Sequence, residues 1–171
     1  MKIAVMGYSG SGKSTLAARL GAELGLPVLH LDRVNFLPGW RERDREEARA
    51  MTAAFLEKEG WVVDGNYPGL CQQERLEQAD RIVLLLFGRL RCLWRAWRRS
   101  RQFAGRTRDS MAEGCEEKFD LEFLWWILHA GRDRAQRARW REICRTWPGK
   151  TVVLRSPGEL EDWLSRHIAG S

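Results

Sequence analysis

The sequence predicts an α/β domain built on a parallel sheet, and two observations carry that prediction. Short apolar runs (KIAVM, VLHLD, WVVD, RIVLLLF and TVVLR) alternate along the 171-residue chain with longer segments of helical periodicity. The first of these runs leads straight into a glycine-rich stretch, GYSGSGKST, that opens a helix.

The elements follow in order. A first strand lies at about residues 2–6. The next helix carries Leu16, Leu20 and Leu24 on one face and ends at Gly25, with Pro27 barring continuation. Residues 28–32 read as a second strand, and RVNFLPGW as a loop around the Pro38-Gly39 turn signal. Asp44 is placed to cap a helix whose apolar side is Ala48, Met51, Phe55 and Leu56, with Gly60 as its stop. Residues 61–64 form a third strand. The fourth, 81–87, is apolar almost throughout, as a strand buried on both faces should be.

The helix GRLRCLWRAWRRSRQF comes next. AGRTRDSMAEGCEEK has little apolar periodicity and reads as a loop or mobile flap. Asp120 then caps one long helix from 121 to about 146, stopped by Pro148-Gly149. TVVLR is the fifth strand, and Ser156-Pro157 starts the last helix. No repeat, low-complexity tract or linker interrupts the chain, so residues 1–171 are expected to form one domain.

Gly7, Gly12, Lys13 and Ser14 fit G-x-x-x-x-G-K-[ST], a phosphate-binding loop, in the strand-then-helix context that such a loop requires. Its glycines permit backbone conformations that aim successive N–H groups inward, at the start of a helix whose dipole favours an anion. Gly7, Ser9, Gly10, Ser11, Gly12, Lys13, Ser14 and Thr15 are thus the expected nucleotide contacts. Lys13 reaches the β- and γ-phosphates, and the Ser14 hydroxyl ligates Mg²⁺.

Composition narrows the classes. The longest clear apolar run, IVLLLF, is far too short to span a membrane, and no signal peptide precedes the first strand, so a cytoplasmic protein is expected. Cys71, Cys92, Cys115 and Cys144 include no C-x-x-C pair, which argues for reduced, single thiols and against a zinc ribbon. The net charge of +6 is concentrated in two arginine clusters, one from Arg89 to Arg108 and one from Arg132 to Arg145. Such clusters bind either nucleic acid or nucleotide phosphates.

Ligands of open α/β sheets bind beyond the carboxyl ends of the strands. Asp64 closes the hydrophobic strand WVV, where an aspartate can hold Mg²⁺ directly or through water. Asp32, at the end of the second strand, can serve as a base, an acceptor-orienting group or a metal-water contact. His30 on that strand reads as a hydrogen-bonded structural residue.

Taken in order, GYSGSGKSTLAARL, LHLDRVNFLPGW, WVVDGNYP, EQADRIVLLL, RCLWRAWRR and EGCEEKFDLEFLWWI resemble a P-loop kinase-like family, the topology modulation (FlaR-like) proteins, described as adenylate-kinase-like. The resemblance runs to about residue 130. It implies a three-layer α/β/α P-loop NTPase fold, with a five-stranded parallel sheet in the order 2-3-1-4-5 and an arginine-rich lid at about residues 95–118. Arg95 and Arg99 are then lid arginines that close on the transferring phosphoryl group. The sequence departs from the family at LLFGR and at Arg108-Asp109-Ser110-Met111.

These residues point to an ATP- and Mg²⁺-dependent phosphotransferase acting on a small molecule. Its catalytic groups are Lys13, Asp32, Arg95 and Arg99, its metal contacts are Ser14 and Asp64, and its acceptor lies near Asp32, Trp40, Asn66, Tyr67 and Arg108. The acceptor is either a nucleoside monophosphate, which needs arginines and no base, or a hydroxyl, which needs Asp32 as base. The alternative is a nucleic-acid-associated ATPase or modulator of DNA topology, although no DNA-reading module is present. A GTPase is disfavoured because no N-K-x-D motif follows the fourth strand.

Overall fold

Five strands form one parallel sheet: β1 (Lys2–Gly7), β2 (Val28–His30), β3 (Trp61–Asp64), β4 (Arg81–Leu85) and β5 (Thr151–Leu154). Their spatial order is β2-β3-β1-β4-β5, the order the family resemblance implied. The computed structural model describes residues 1–102, 110–112, 114, 115 and 120–167. Ile3, Ala4, Val5 and Met6 are all wholly buried, as are Val62 and Val63 beside them. Since successive residues of a strand face opposite sides, both faces of the sheet are covered and the fold has three layers. Each such buried Val, Ile or Leu contributes about 1.5–3 kcal/mol.

Among the described residues, eight α-helices accompany the sheet: α1 (Lys13–Leu24), α2 (Leu31–Asn35), α3 (Arg45–Leu56), α4 (Gln72–Gln78), α5 (Arg89–Gln102), α6 (Leu121–Leu128), α7 (Arg134–Thr146) and α8 (Pro157–His167). α1 buries Leu16, Ala17 and Leu20 and closes on Gly25 in the left-handed conformation. Asp44 and Asp120 cap α3 and α6, accepting from the amides of Glu46 and Glu47 and of Phe123 respectively.

Four expectations need correction. The second strand stops at His30, because its neighbour β3 ends at Asp64, opposite His30, and offers Leu31 nothing to pair with. Asp32 therefore sits in the first turn of the short helix α2 rather than on a strand. The segment expected as a plain loop holds a small antiparallel ribbon, Phe36–Leu37 against Arg41–Glu42. On α3, Met51 is 43% exposed, and Thr52 is buried in its place with its hydroxyl donating to the Ala48 carbonyl at 2.9 Å. The single long helix expected from 121 is broken: His129 leaves the helical region, a short turn at Ala130–Arg132 follows, and Asp133 caps α7 anew.

α4 was not foreseen. Its sequence is polar, yet Arg75 is fully buried within it. The guanidinium donates to the carbonyls of Leu70 (3.0 Å), Tyr67 (3.0 Å) and Gly65 (3.4 Å), and so holds the turn that leaves β3. Burial pushes its pKa down to about 10, against the pull of Cys71, Glu74 and Asp64. Replacing Arg75 with Met is expected to cost about 2 kcal/mol, because the bonded carbonyls lose their donor inside the protein. A urea-unfolding midpoint equal to wild type would contradict this.

Candidate active site

The strand ends bring the candidate residues into one row. In register, His30 of β2 lies beside Asp64 of β3, and Asp64 beside Val5 of β1. The glycine-rich loop leaves β1 at Gly7, whose φ of 141° belongs to glycine, and where a Cβ would collide with the Leu85 carbonyl of β4. Asn66 locks this exit. Its side-chain Nδ2 donates to the Gly7 carbonyl at 2.7 Å, and its Oδ1 accepts from the Gly7 amide at 3.1 Å. Its amide group is thus engaged by the loop rather than turned to an acceptor.

The loop is shaped for an anion. Gly12 caps α1 at φ 95° with no side-chain cap, whereas α3, α6 and α7 each receive one from an aspartate. The first amides of α1 therefore have no side-chain acceptor. Ser11 is wholly buried, and its hydroxyl has no partner among the described residues. Gly10 lies against the Cys92 backbone of α5, so α5 braces the loop from behind. Thr15 is exposed.

Ser14 donates its hydroxyl to Asp64 Oδ2 at 2.8 Å. The other oxygen, Oδ1, meets His30 Nδ1 at 2.5 Å. Asp64 is only 4% exposed, so both of its oxygens are held by named partners. A serine hydroxyl and a carboxylate side by side are a hard-oxygen pair of the kind Mg²⁺ uses when phosphates and water complete its shell. No group of three or more His, Cys, Asp or Glu able to hold a metal alone occurs among the described residues.

Lys13 is partly enclosed, and its Nζ donates to the Tyr8 carbonyl at 3.1 Å. Burial lowers its pKa, Asp32 and Asp64 pull it back up, and Arg99 pushes it down again. Arg95 of α5 lies directly over Gly12: a Cβ there would run into its guanidinium. Arg99 stacks over the Phe123 ring of α6 at 6.0 Å. Both expected lid arginines thus sit at or beside the loop. Behind it, the buried Arg132 covers the Tyr8 ring at 3.8 Å and donates to Cys92 Sγ at 3.0 Å. The rest of the second arginine cluster lies along exposed or half-exposed positions of α7.

On the acceptor side, Tyr67 donates its hydroxyl to Asp32 Oδ1 at 2.6 Å. Burial and the Asp32 carboxylate push the Tyr67 pKa far up, so it remains a donor at any physiological pH. Trp40 is half-buried and makes an edge contact with Phe36 at 5.3 Å. Both rings pack against Met111, Ala112 and Cys115, which are buried. The flap, read from sequence as lacking an apolar anchor, is therefore anchored on the ribbon in its described part, where Cys115 Sγ also approaches the Leu37 carbonyl at 3.4 Å. Arg108, placed at the acceptor by the sequence, lies outside the described residues, as does much of the lid at 95–118.

Sequence reasoning underrated His30 and missed Trp126, whose indole reaches Ser9. Neither leaves a local signal, since both partners are distant in sequence. Among the described residues no helix is long and apolar enough to cross a membrane.

The sheet order and the loop between β1 and α1 define the P-loop kinase fold. No family model matches the chain, and no curated protein matches it. Solved structures do. It is similar to shikimate kinase from Acinetobacter baumannii in complex with shikimate, at 16% identity and TM-score 0.57, covering 99% of this chain and 94% of that one. It is similar to a gluconokinase from Sinorhizobium meliloti 1021, at 17% identity and TM-score 0.54, covering 99% and 90%. Deoxyadenosine kinase from M. mycoides with bound dATP matches at 14% identity and TM-score 0.51, covering 97% and 98%. At these identities the likeness is one of fold.

Proposed function

We propose that this chain is an ATP- and Mg²⁺-dependent kinase of a small molecule, of the topology modulation, FlaR-like kind that its sequence resembles. The observation that carries the reading is the Ser14–Asp64 contact at 2.8 Å, which joins the phosphate loop to the carboxylate at the end of β3. When bound there, Mg²⁺ supplies charge neutralisation to phosphate oxygens. Lys13, Arg95 and Arg99 gather positive charge where the terminal phosphate's charge develops. The names of the three structural neighbours described above, each a small-molecule kinase, agree with this reading.

Of the two acceptor classes, we favour a hydroxyl. Tyr67 occupies Asp32 Oδ1, which orients the carboxylate and leaves Oδ2 to take the acceptor's proton as its oxygen attacks phosphorus. The test is ADP release with ATP and Mg²⁺ across a panel of hydroxylated metabolites and nucleoside monophosphates. Turnover with a hydroxylated metabolite is expected. Turnover with nucleoside monophosphates alone would transfer the reading to the other class, and none with any acceptor would remove it.

The competing reading, a nucleic-acid-associated ATPase, rests on the exposed Arg91, Arg98 and Arg101 of α5. On the kinase reading, duplex DNA binding is weak near physiological salt and falls steeply with added salt, as counterion release requires. A filter-binding titration showing tight, salt-resistant, sequence-selective binding would reverse the order of the two readings.

A further inference from the structure

Trp126 of α6 donates its indole Nε1 proton to Ser9 Oγ at 3.1 Å. The two residues are 117 positions apart, and the bond ties the helix after the lid segment to the phosphate loop. An indole N–H is a donor only, so Ser9 Oγ must be the acceptor in this bond. Its own hydroxyl proton is thereby directed elsewhere, and no acceptor for it occurs among the described residues. Ser9 is half-buried, in a loop whose amides and buried Ser11 hydroxyl already suit an anion. The indole also lies against the turn between α6 and α7. Gly131 there has no side chain, and a Cβ would stand 2.9 Å from both Trp126 Nε1 and the Trp126 backbone carbonyl oxygen. The ring itself remains 50% exposed.

We propose that Trp126 is a positioning residue for nucleotide binding: it orients the Ser9 hydroxyl so that its proton is presented to a phosphate oxygen of the bound triphosphate. The inference rests on the reading of residues 7–15 as a triphosphate site. Gly131 belongs to the same device, because its lack of a side chain gives the indole its place. Binding is thereby coupled to α6: nucleotide fixes Ser9, Ser9 fixes Trp126, and the half-exposed indole changes its surroundings.

The test is calorimetric titration of a non-hydrolysable ATP analogue with Mg²⁺ into wild type, Trp126→Phe, Ser9→Ala, the double variant and Gly131→Ala. Phenylalanine keeps a ring on the turn and removes only the donor. Each single substitution is expected to weaken binding on the order of tenfold, the loss of one hydrogen bond to a charged group. The double variant is expected to be no weaker than either single one, since both remove the same arrangement. The analogue should also change tryptophan emission in wild type and leave it unchanged in Trp126→Phe, a signature that a merely structural role would not give. Additive losses, or unchanged affinity in both Trp126→Phe and Ser9→Ala while wild type binds, would overturn this inference alone. A folded wild-type chain that binds no triphosphate would overturn the reading of the loop as well.

Discussion

Replacing Lys13 with methionine is expected to lower kcat at least about a hundredfold and, at the same time, to make the folded protein more resistant to heat. The first effect follows from what the ammonium does in the transition state, where charge grows on the terminal phosphate; loss of one such preorganised group costs about 10²–10³ in rate. The second follows from where the ammonium sits. Burial holds the Lys13 pKa below its ordinary value of 10.5 despite the Asp32 and Asp64 carboxylates. The unfolded chain therefore binds this proton more tightly than the folded one. The resulting cost to stability is fully present below the folded pKa and is relieved as pH rises through it. Methionine is nearly isosteric, carries no charge, and removes that cost, which outweighs the loss of the single long hydrogen bond to the part-buried Tyr8 carbonyl. A differential scanning calorimetry experiment at neutral pH should show a raised midpoint for Lys13→Met. In the wild type, stability should gain from Lys13 as pH is raised toward its ordinary value, and the variant should lack that gain. A folded Lys13→Met protein with near-normal turnover would remove the kinase reading.

Asp32→Asn should have the next largest effect, and its size separates the two acceptor classes. If Asp32 takes a proton from an acceptor hydroxyl, the amide cannot replace it, and kcat should fall by about 10²–10⁴. Tyr67→Phe should fall by much less, because it removes only the hydrogen bond at 2.6 Å that orients the carboxylate. An Asp32→Asn enzyme within a fewfold of wild type would mean that the acceptor arrives already ionised, as a phosphate does.

The framework of this fold was legible because its signals are local. Five apolar runs, the glycines of the loop, the caps Asp44 and Asp120 and the stop at Gly25 each report on their immediate neighbours. The errors have a common physical origin. VLHLD alternates like a strand, but a strand continues only where a partner offers hydrogen bonds, and β3 ends opposite His30. The break in the long helix was signalled by Gly131 and Asp133, yet the helical periodicity on either side hid it. α4 has so few apolar residues that no face could be read, and a buried arginine such as Arg75 runs against every compositional expectation. At the site, the phosphate loop, Asp64 and Asp32 could be named from spacing alone. The pairings that hold them could not: His30 with Asp64, Tyr67 with Asp32, Asn66 with Gly7 and Trp126 with Ser9 all join residues more than thirty positions apart.

Following the label from ATP marked at its γ-phosphate shows where the phosphoryl group goes. The protein is incubated with the labelled nucleotide, Mg²⁺ and a deproteinised, nucleic-acid-free extract of small metabolites, with Lys13→Met as the control. Label is expected to move onto a discrete small molecule with wild type, with ADP formed in equal amount, and at least about a hundredfold more slowly with the control. Label released only as inorganic phosphate, at a rate that rises when DNA is added and ignores the extract, would contradict it.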